Sequence, residues 1–443
     1  MKPPPGAFLG GAKGRLLPAS IPLRFFGAAI GFHVLAWLAL AAGAAHWTQF
    51  AGGLGWPLAA LHLVTLGVLA MTAIGAGAQL LPVATRQPAP GHRLLAAVWW
   101  VYTPGVALLA LGMGFAHPAW LALGATAVVC ALAAWGALMI RNLRGARGMP
   151  GVVAHGWAAI ASLAVVLATA LLLAATWLGW PAPPRDDLLA LHVVFAPFGF
   201  MGMLALGLAY ILVPMFALAD TPAERRQLAS FALAAAAIVL AAFAAPSLLP
   251  GLVGGGDAEG GAHAAAQVSI AVRVAALLVG AAAVLLHLRM MLEALRTGMR
   301  TELGRSFVLV RVAWGGQLAS LVLGAALVLG APLPRLGLLF GLCVIGVWLM
   351  SLLLGMLQRI LPFLAAMHGG SGRKARTPSA LTFDGALRVH FFCHLGALAL
   401  LALAILADSA WLTLAAAAVG AAGAIAFATF FVVLLRRMRS PAR

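Results

Sequence analysis

Long apolar segments, twelve in all, are the feature that most limits what this chain can fold into. Each has about 20 residues or more, the length an α-helix needs to cross the hydrocarbon core of a bilayer. Hydrophobic residues make up 64% of the 443 residues and charged residues 9%, which excludes a soluble globular domain. The sequence therefore predicts an all-α polytopic membrane protein with spans 1 to 12 at 24–46, 57–83, 94–115, 119–140, 153–178, 188–217, 228–249, 264–289, 306–330, 335–365, 386–407 and 410–435.

The distribution of positive charge predicts the orientation. Of the 28 Lys and Arg residues, all but Arg185, Arg273 and Arg335 fall on the side of the N-terminus. Loops rich in Lys and Arg remain in the cytoplasm, so we expect both termini to be cytoplasmic, in a bacterial inner membrane. The net charge of +18 then belongs to short loops beside the lipid bilayer, and no nucleic-acid partner is expected.

One membrane domain is predicted, because no loop is long enough for a soluble domain. It covers residues 24–435, between a cytoplasmic N-terminal tail at 1–23 and a basic cytoplasmic tail at 436–443. The first tail lacks the short apolar core and cleavage site of a signal peptide. The three cysteines form no CxxC or CxxCH motif, so neither a zinc site nor covalently attached haem is indicated.

Spans 2, 6 and 10 share a motif in which a Gly precedes a Pro by seven residues. Seven residues are close to two helical turns, so both residues lie on one face of the helix. The Gly lets a neighbouring helix approach closely, and the Pro bends or ends its helix. Since the copies are four spans apart, the repeat predicts three pseudo-threefold-related units of four helices. The pairs are Gly75 and Pro82, Gly207 and Pro214, and Gly355 and Pro362.

Two copies of the repeat are preceded by a histidine. His62 lies 13 residues before Gly75, and His192 lies 15 residues before Gly207. Both are predicted about 6–9 Å inside the outer end of their helices. Imidazole is a ligand for haem iron and copper, and two inward-facing histidines on different helices can hold a haem. The alternative is a buried histidine bonded to a neighbouring carbonyl or to a hydroxyl such as that of Thr65, but the repeat-related placement favours function.

A second group of histidines is predicted in the cytoplasmic half. His390 and His394 are spaced four residues apart and share a face of span 11, while His33 and His287 come near the same side. These four form a candidate second metal site; the alternative is that they contact loops or water near helix ends. The other histidines, at or beyond span ends, are predicted to be solvated: His46, His92, His117, His155, His263 and His368.

Several chemistries are not indicated. All ten acidic residues lie in loops or at helix ends, whereas a proton-coupled transporter usually keeps a carboxylate within the membrane. No nucleotide-binding, serine hydrolase or zinc protease motif occurs.

The chain resembles the heme–copper oxidase subunit I superfamily, in particular its divergent NnrS-like branch. The likeness covers the topology of the whole chain but, in residues, only the segments 61–67, 191–192 and 199–202. It implies twelve helices with cytoplasmic termini, in three four-helix arcs that end on helices 2, 6 and 10. It also implies that His62 matches a low-spin haem ligand and that His192 matches a copper ligand.

The chain departs from that superfamily at three sets of ligands. Span 10 has no histidine before His368, span 7 has no histidine pair, and Ala196 stands where the family has a cross-linked tyrosine. A binuclear centre of the usual kind cannot be assembled, which excludes a dioxygen reductase and leaves open whether the chain is an enzyme.

The expected function is therefore a membrane protein that binds haem b, with copper as a second candidate metal. It would act in redox chemistry, the nitric oxide response or respiratory-enzyme maturation, with a redox partner or a respiratory-complex subunit. The alternative is a permease or a metal or haem exporter whose Gly/Pro-kinked helices line a path. At the site, either both histidines hold one haem, or His62 holds haem and His192 belongs to a separate copper position. The second arrangement needs another ligand from span 10, near Cys343 or Met350.

Overall fold

The computed structural model describes residues 17–244, 258–368 and 377–440, the first nine residues of the second range as backbone only. Twelve helices there are long and apolar enough to cross a membrane, and no strand occurs among the described residues, which confirms the all-α polytopic class. Most of the predicted N-terminal tail lies outside the described residues. The spans are Ser20–Ala42, Trp56–Thr85, His92–Gly114, Pro118–Arg144, Pro150–Trp177, Arg185–Ala217, Glu224–Phe243, Gln267–Thr297, Gly304–Val328, Leu336–His368, Asp384–Ala407 and Ala410–Arg439.

Several helices extend beyond their apolar segments at basic ends. Span 4 continues to Arg144, span 8 to Thr297 and span 12 to Arg439. Cationic side chains stabilise the C-terminal end of a helix, and their long stems reach towards water. Arg226 of span 7 also pairs with Glu293 of span 8 at 2.7 Å. Hydropathy alone therefore predicted these helices too short.

Each repeat span packs on the span that precedes it, so spans 2, 6 and 10 contact spans 1, 5 and 9. At each repeat glycine, an added Cβ atom would lie within 3.2 Å of the neighbouring helix, which leaves no space for a larger residue without movement. The Cβ atoms it would meet are those of Phe25 at 3.0 Å from Gly75, His155 at 2.8 Å from Gly207 and Leu309 at 3.2 Å from Gly355.

Each of these helix pairs has a second close contact. It lies eight residues before the repeat glycine on the repeat span and seven residues after the contacted residue on the neighbouring span. In the first two pairs the small residue is again on the repeat span, whereas in the third it is on span 9. Three helix pairs therefore pack in one register, which supports the predicted repeat; the grouping of all twelve spans into three units remains a prediction. These contacts join Gly67 to Phe32, Gly199 to Ser162, and Val347 to Gly316.

A π-helical segment interrupts each repeat span. The segments are Leu63–Ala70, Phe195–Gly202 and Leu342–Met350, and each ends five residues before the repeat glycine. A π-helix bonds each N–H to the carbonyl five residues back and shifts the helical register. In span 2 the hydroxyl of Tyr102 donates to the Leu66 carbonyl at 3.0 Å, which satisfies an acceptor within the segment.

The repeat prolines lie inside their helices. Spans 2 and 6 continue for three residues beyond Pro82 and Pro214. Both then end at a residue with left-handed backbone, Arg86 at φ 58° and Leu218 at φ 54°. Span 10 instead continues six residues beyond Pro362.

Spans 2, 6 and 10 also contact one another. We call the side on which they begin the outer side, as the charge distribution predicts. Towards the inner side spans 2 and 6 are mostly buried, and each of the three helices has fully buried residues there, including Ile74, Val213 and Leu361, each 0% exposed. Span 6 also meets span 10 on this side through Phe216 and Phe363, whose ring centroids are 6.2 Å apart.

The repeat contact predicts the effect of enlarging a glycine. Gly207→Val should lower the free energy of unfolding by about 1–3 kcal/mol, because the added methyl groups overlap His155. The measurement is the thermal unfolding midpoint in detergent. Gly31→Val is the control, since Gly31 is an exposed helical glycine with nothing within 4 Å of an added Cβ atom. Equal midpoints for the two variants would contradict the packing described.

Candidate functional site

The outer halves of spans 2, 6 and 10 differ from their closed inner halves. Spans 2 and 6 contact each other through Met71–Thr85 and Met203–Ala217, whereas both of their π segments contact the π segment of span 10. Towards the outer ends of these helices most side chains are only half-buried. His62 and His192 both lie in this region, so the structure places them on two helices that surround the same part of the molecule.

His62 is the last residue of regular α-helix before the π segment of span 2. Its Nδ1 lies 3.0 Å from the carbonyl oxygen of Leu58, and not beside the hydroxyl of Thr65. A carbonyl can only accept, so Nδ1 carries the proton and donates, and Nε2 keeps a lone pair. Among the described residues Nε2 makes no hydrogen bond. His62 therefore presents the nitrogen that a metal would bind.

His192 lies two residues before the end of its regular helix and three before the π segment of span 6. Its Nδ1 is 3.1 Å from the hydroxyl of Thr169 on span 5. That hydroxyl already donates its one proton to the carbonyl of Val165 at 2.9 Å, or to that of Val166 at 3.1 Å. His192 Nδ1 is therefore the donor to Thr169, with the Val166 carbonyl also near the ring, and Nε2 of the neutral ring keeps its lone pair.

The two imidazoles stand on spans 2 and 6, beside π segments that both contact the π segment of span 10. A metal-binding histidine commonly donates its second ring nitrogen to a carbonyl or hydroxyl, which fixes its tautomer and its orientation. His155 and His368 make the same bond to the carbonyl one turn back, at 2.8 and 2.9 Å. What distinguishes His62 is the second anchored imidazole nearby.

The surroundings suit a flat apolar cofactor better than a three-ligand metal centre. Phe198 of span 6 faces Phe340 and Trp348 of span 10, with ring centroids 6.2 and 6.0 Å apart. Cys343 is half-buried in the span 10 segment and Met350 is buried. Across the residues that the structure describes, no three His, Cys, Asp or Glu side chains form a group that could hold a metal ion.

Arg185 lies at the outer end of this region. It opens span 6 and precedes His192 by seven residues, which places the two on one face of the helix. Its guanidinium stacks over the ring of Trp177 at 5.7 Å and reaches the loop before span 2, because a Cβ atom at Gly52 would lie 3.5 Å from it. A cation therefore stands between the two helices that carry the histidines.

The predicted second group divides into two clusters. His33, His390 and His394 lie together, with ring centroids 6.2 Å apart for His33 and His390 and 5.7 Å apart for His390 and His394. His287 lies elsewhere: its Nδ1 is 3.3 Å from the hydroxyl of Tyr210. Helical spacing fixes which residues share a face of span 11, but it does not show which neighbour the face of span 8 meets.

Two histidines predicted to be solvated have protein partners. His155 is 0% exposed, because spans 6 and 7 cover that end of span 5: its ring lies 5.4 Å from that of Tyr210 and 5.5 Å from that of Phe231. His368 bonds through Nδ1 to the Leu364 carbonyl and through Nε2 to the Leu17 carbonyl, both at 2.9 Å. Their position near span ends was therefore a poor guide to solvation.

Sequence reasoning also missed the residues that anchor the imidazoles. Leu58 takes part through its carbonyl, for which a sequence carries no signal. Thr169 is a polar residue within the apolar span 5, and a buried hydroxyl in a membrane helix usually has a bonding partner. That rule could have singled out Thr169 but not its partner.

No known family model matches this sequence, and no curated protein matches it.

Proposed function

We propose that the chain is a haem-binding integral membrane protein in which His62 and His192 hold one haem b. The observation that carries the proposal is the pair of anchored imidazoles. Each donates Nδ1–H to an oxygen of its own surroundings, and each keeps a free Nε2 lone pair, on two helices of the repeat. Two such nitrogens on opposite faces of one haem would be about 4 Å apart, given metal–nitrogen bonds of about 2 Å.

The other groups at the site support this cofactor. The aromatic rings of Phe198, Phe340 and Trp348 offer apolar contacts to a porphyrin. Arg185 offers a guanidinium to the haem propionates at the outer end, where carboxylates need a cationic partner. The alternative, with haem at His62 and copper at a separate His192 position, needs a further ligand from span 10, and among the described residues neither histidine belongs to a group of three metal-binding side chains.

A haem held by two histidines supplies one-electron chemistry. In this chain His62 and His192 would hold it, while Leu58 and Thr169 orient the two imidazole rings. We therefore propose a role in redox chemistry, the nitric oxide response or respiratory-enzyme maturation, with a redox protein or respiratory subunit as partner. The resemblance to heme–copper oxidase subunit I is part of this proposal.

The permease alternative is less well supported. A transport path must continue through the membrane, lined by groups that water or a substrate can reach. On the inner side Ile74 of span 2 and Leu361 of span 10 are fully buried, and Phe216 of span 6 packs against Phe363 of span 10 at 6.2 Å. Such apolar packing favours a bound cofactor over a carried substrate.

The haem proposal predicts the visible spectrum of the protein and of three variants. Wild-type protein, expressed with ample haem and purified in detergent, should show the Soret band of a low-spin b-type haem. His62→Asn and His192→Asn should each abolish it, because asparagine keeps the anchoring N–H but removes Nε2. His155→Asn is the control and should keep the band. A wild-type protein without a Soret band refutes the proposal, and loss through His62→Asn alone refutes the shared haem.

The Thr169 hydroxyl predicts a graded effect. Thr169→Val keeps the shape of the side chain but removes the acceptor of His192 Nδ1–H, so the ring loses its fixed orientation. We expect haem affinity to fall about 10- to 100-fold, the usual effect of removing a supporting hydrogen bond from a metal ligand. Titration of haem into apoprotein measures it. Thr126→Val is the control, because Thr126 is exposed and bonds only to the Ala122 carbonyl.

The predicted orientation can be tested by cysteine labelling. In a protein whose three cysteines are replaced, Pro183→Cys between spans 5 and 6 and Met299→Cys between spans 8 and 9 place thiols at exposed positions. An impermeant maleimide added to intact cells should label position 183, and position 299 only after lysis. The reverse pattern would invert the topology and place the haem site on the cytoplasmic side.

A further inference from the structure

A buried pair of histidines joins spans 1 and 11, apart from the proposed haem site. His33 is 3% exposed and His390 is 0% exposed, and their ring centroids are 6.2 Å apart. His394, one turn further along span 11 and 3% exposed, stacks on His390. Span 12 covers the cluster, with the ring of Phe427 at 4.8 Å from that of His390.

The hydrogen bonds leave imidazole nitrogens without partners. His390 Nδ1 lies 3.1 Å from the Gly423 carbonyl of span 12, which can only accept, so Nδ1 carries the proton and Nε2 keeps a lone pair. That Nε2 atom is buried without a partner, and so are both ring nitrogens of His33. Leaving a buried polar group unpaired costs about 1–3 kcal/mol. Something that accepts nitrogen lone pairs would remove this cost.

The separation of the two rings suits one ion between them. With metal–nitrogen bonds of about 2 Å and each nitrogen about 1 Å from its ring centre, two imidazoles on opposite sides of an ion have centroids about 6 Å apart. The observed 6.2 Å agrees with this value. The ring planes are 80° apart, which such a site tolerates because rotation about a metal–nitrogen bond leaves the bond unchanged. No third donor completes a group within the described residues.

The charge of the surroundings selects the ion. The rings around the pair belong to Trp37, His394 and Phe427, and among the described residues no hydrogen bond or ion pair joins either histidine to a carboxylate. Two neutral imidazoles bring no negative charge, so a buried dication would keep both of its charges uncompensated. The site therefore needs an ion of low charge that accepts two nitrogen ligands on opposite sides. Among biological metals, the monovalent ion that does so is Cu(I).

We propose that His33 and His390 bind a single Cu(I) ion between spans 1 and 11. The site is distinct from the haem position in its helices, its depth and its ligands. His394 is held at Nε2 by the hydroxyl of Ser351 at 2.9 Å, and it supports His390 by stacking rather than by completing the site. The bound ion would link the two helices and give a partner to His390 Nε2 and to one nitrogen of His33, while the second nitrogen of His33 and Nδ1 of His394 keep none among the described residues.

The test is anaerobic titration of the full-length protein in detergent with Cu(I), in competition with a chromogenic Cu(I) chelator. Wild-type protein should take up one Cu(I) that resists the chelator. His390→Asn keeps the donor to the Gly423 carbonyl and removes Nε2, and it should lose that ion, as should His33→Leu. His155→Asn is the matched control: His155 has the same Nδ1 bond to a carbonyl and an unpaired Nε2, but its ring contacts are with Tyr210 and Phe231. It should bind Cu(I) as wild type does.

The outcome is independent of the haem proposal. His62→Asn should lose the Soret band but keep the Cu(I), and His390→Asn should show the opposite. If a variant does not fold, X-ray absorption of copper-loaded wild-type protein decides: two nitrogen neighbours at about 2 Å support the site, and a sulfur neighbour overturns it. No Cu(I) retained by wild type, or Cu(I) retained by His390→Asn, also overturns it.

Discussion

The close contact between each repeat span and the span before it is the interaction on which the rest of the structure depends. In the lipid phase no hydrophobic force draws helices together, so close packing against small residues decides which surfaces meet. Gly75, Gly207 and Gly355 supply that surface three times in one register. This register places the three π segments at equal distances from the glycines, and His62 and His192 at similar heights beside them.

The π segments change the direction of the side chains on the outer halves of the repeat spans, where His62 and His192 lie. An extra residue in a helical turn changes the direction of every side chain that precedes it and exposes carbonyls that need donors. In span 2 the hydroxyl of Tyr102 donates to the carbonyl of Leu66. In span 6 the π segment contains Pro197, which has no backbone N–H and therefore needs no acceptor. The inner halves of spans 2 and 6 are then mostly buried, while the outer halves of the three helices remain half-buried.

The sequence was sufficient to predict the membrane spans but not the arrangement of residues at the two candidate sites. Twelve apolar segments of membrane length predict twelve helices because the bilayer allows few alternatives, and the Gly/Pro spacing indicated which helices share a role. It could not predict the π segments, since Leu63–Ala70 reads as ordinary apolar helix. It also grouped His287 with His33, although the structure pairs His287 with Tyr210, because the partner of a helix face depends on packing rather than on spacing.

The absence of carboxylates from the predicted membrane interior explains why both proposed sites use neutral imidazole. At His62, His192 and His390 a backbone carbonyl or a hydroxyl fixes the proton on Nδ1 and leaves the lone pair on Nε2, so a ligand would gain nitrogen donors without a buried charge being added. The two proposed sites differ in burial. The outer one is half-buried, with aromatic rings and an arginine in the same region. The inner one is closed on all sides, so only an ion small enough to sit between two rings, with a single positive charge, satisfies it.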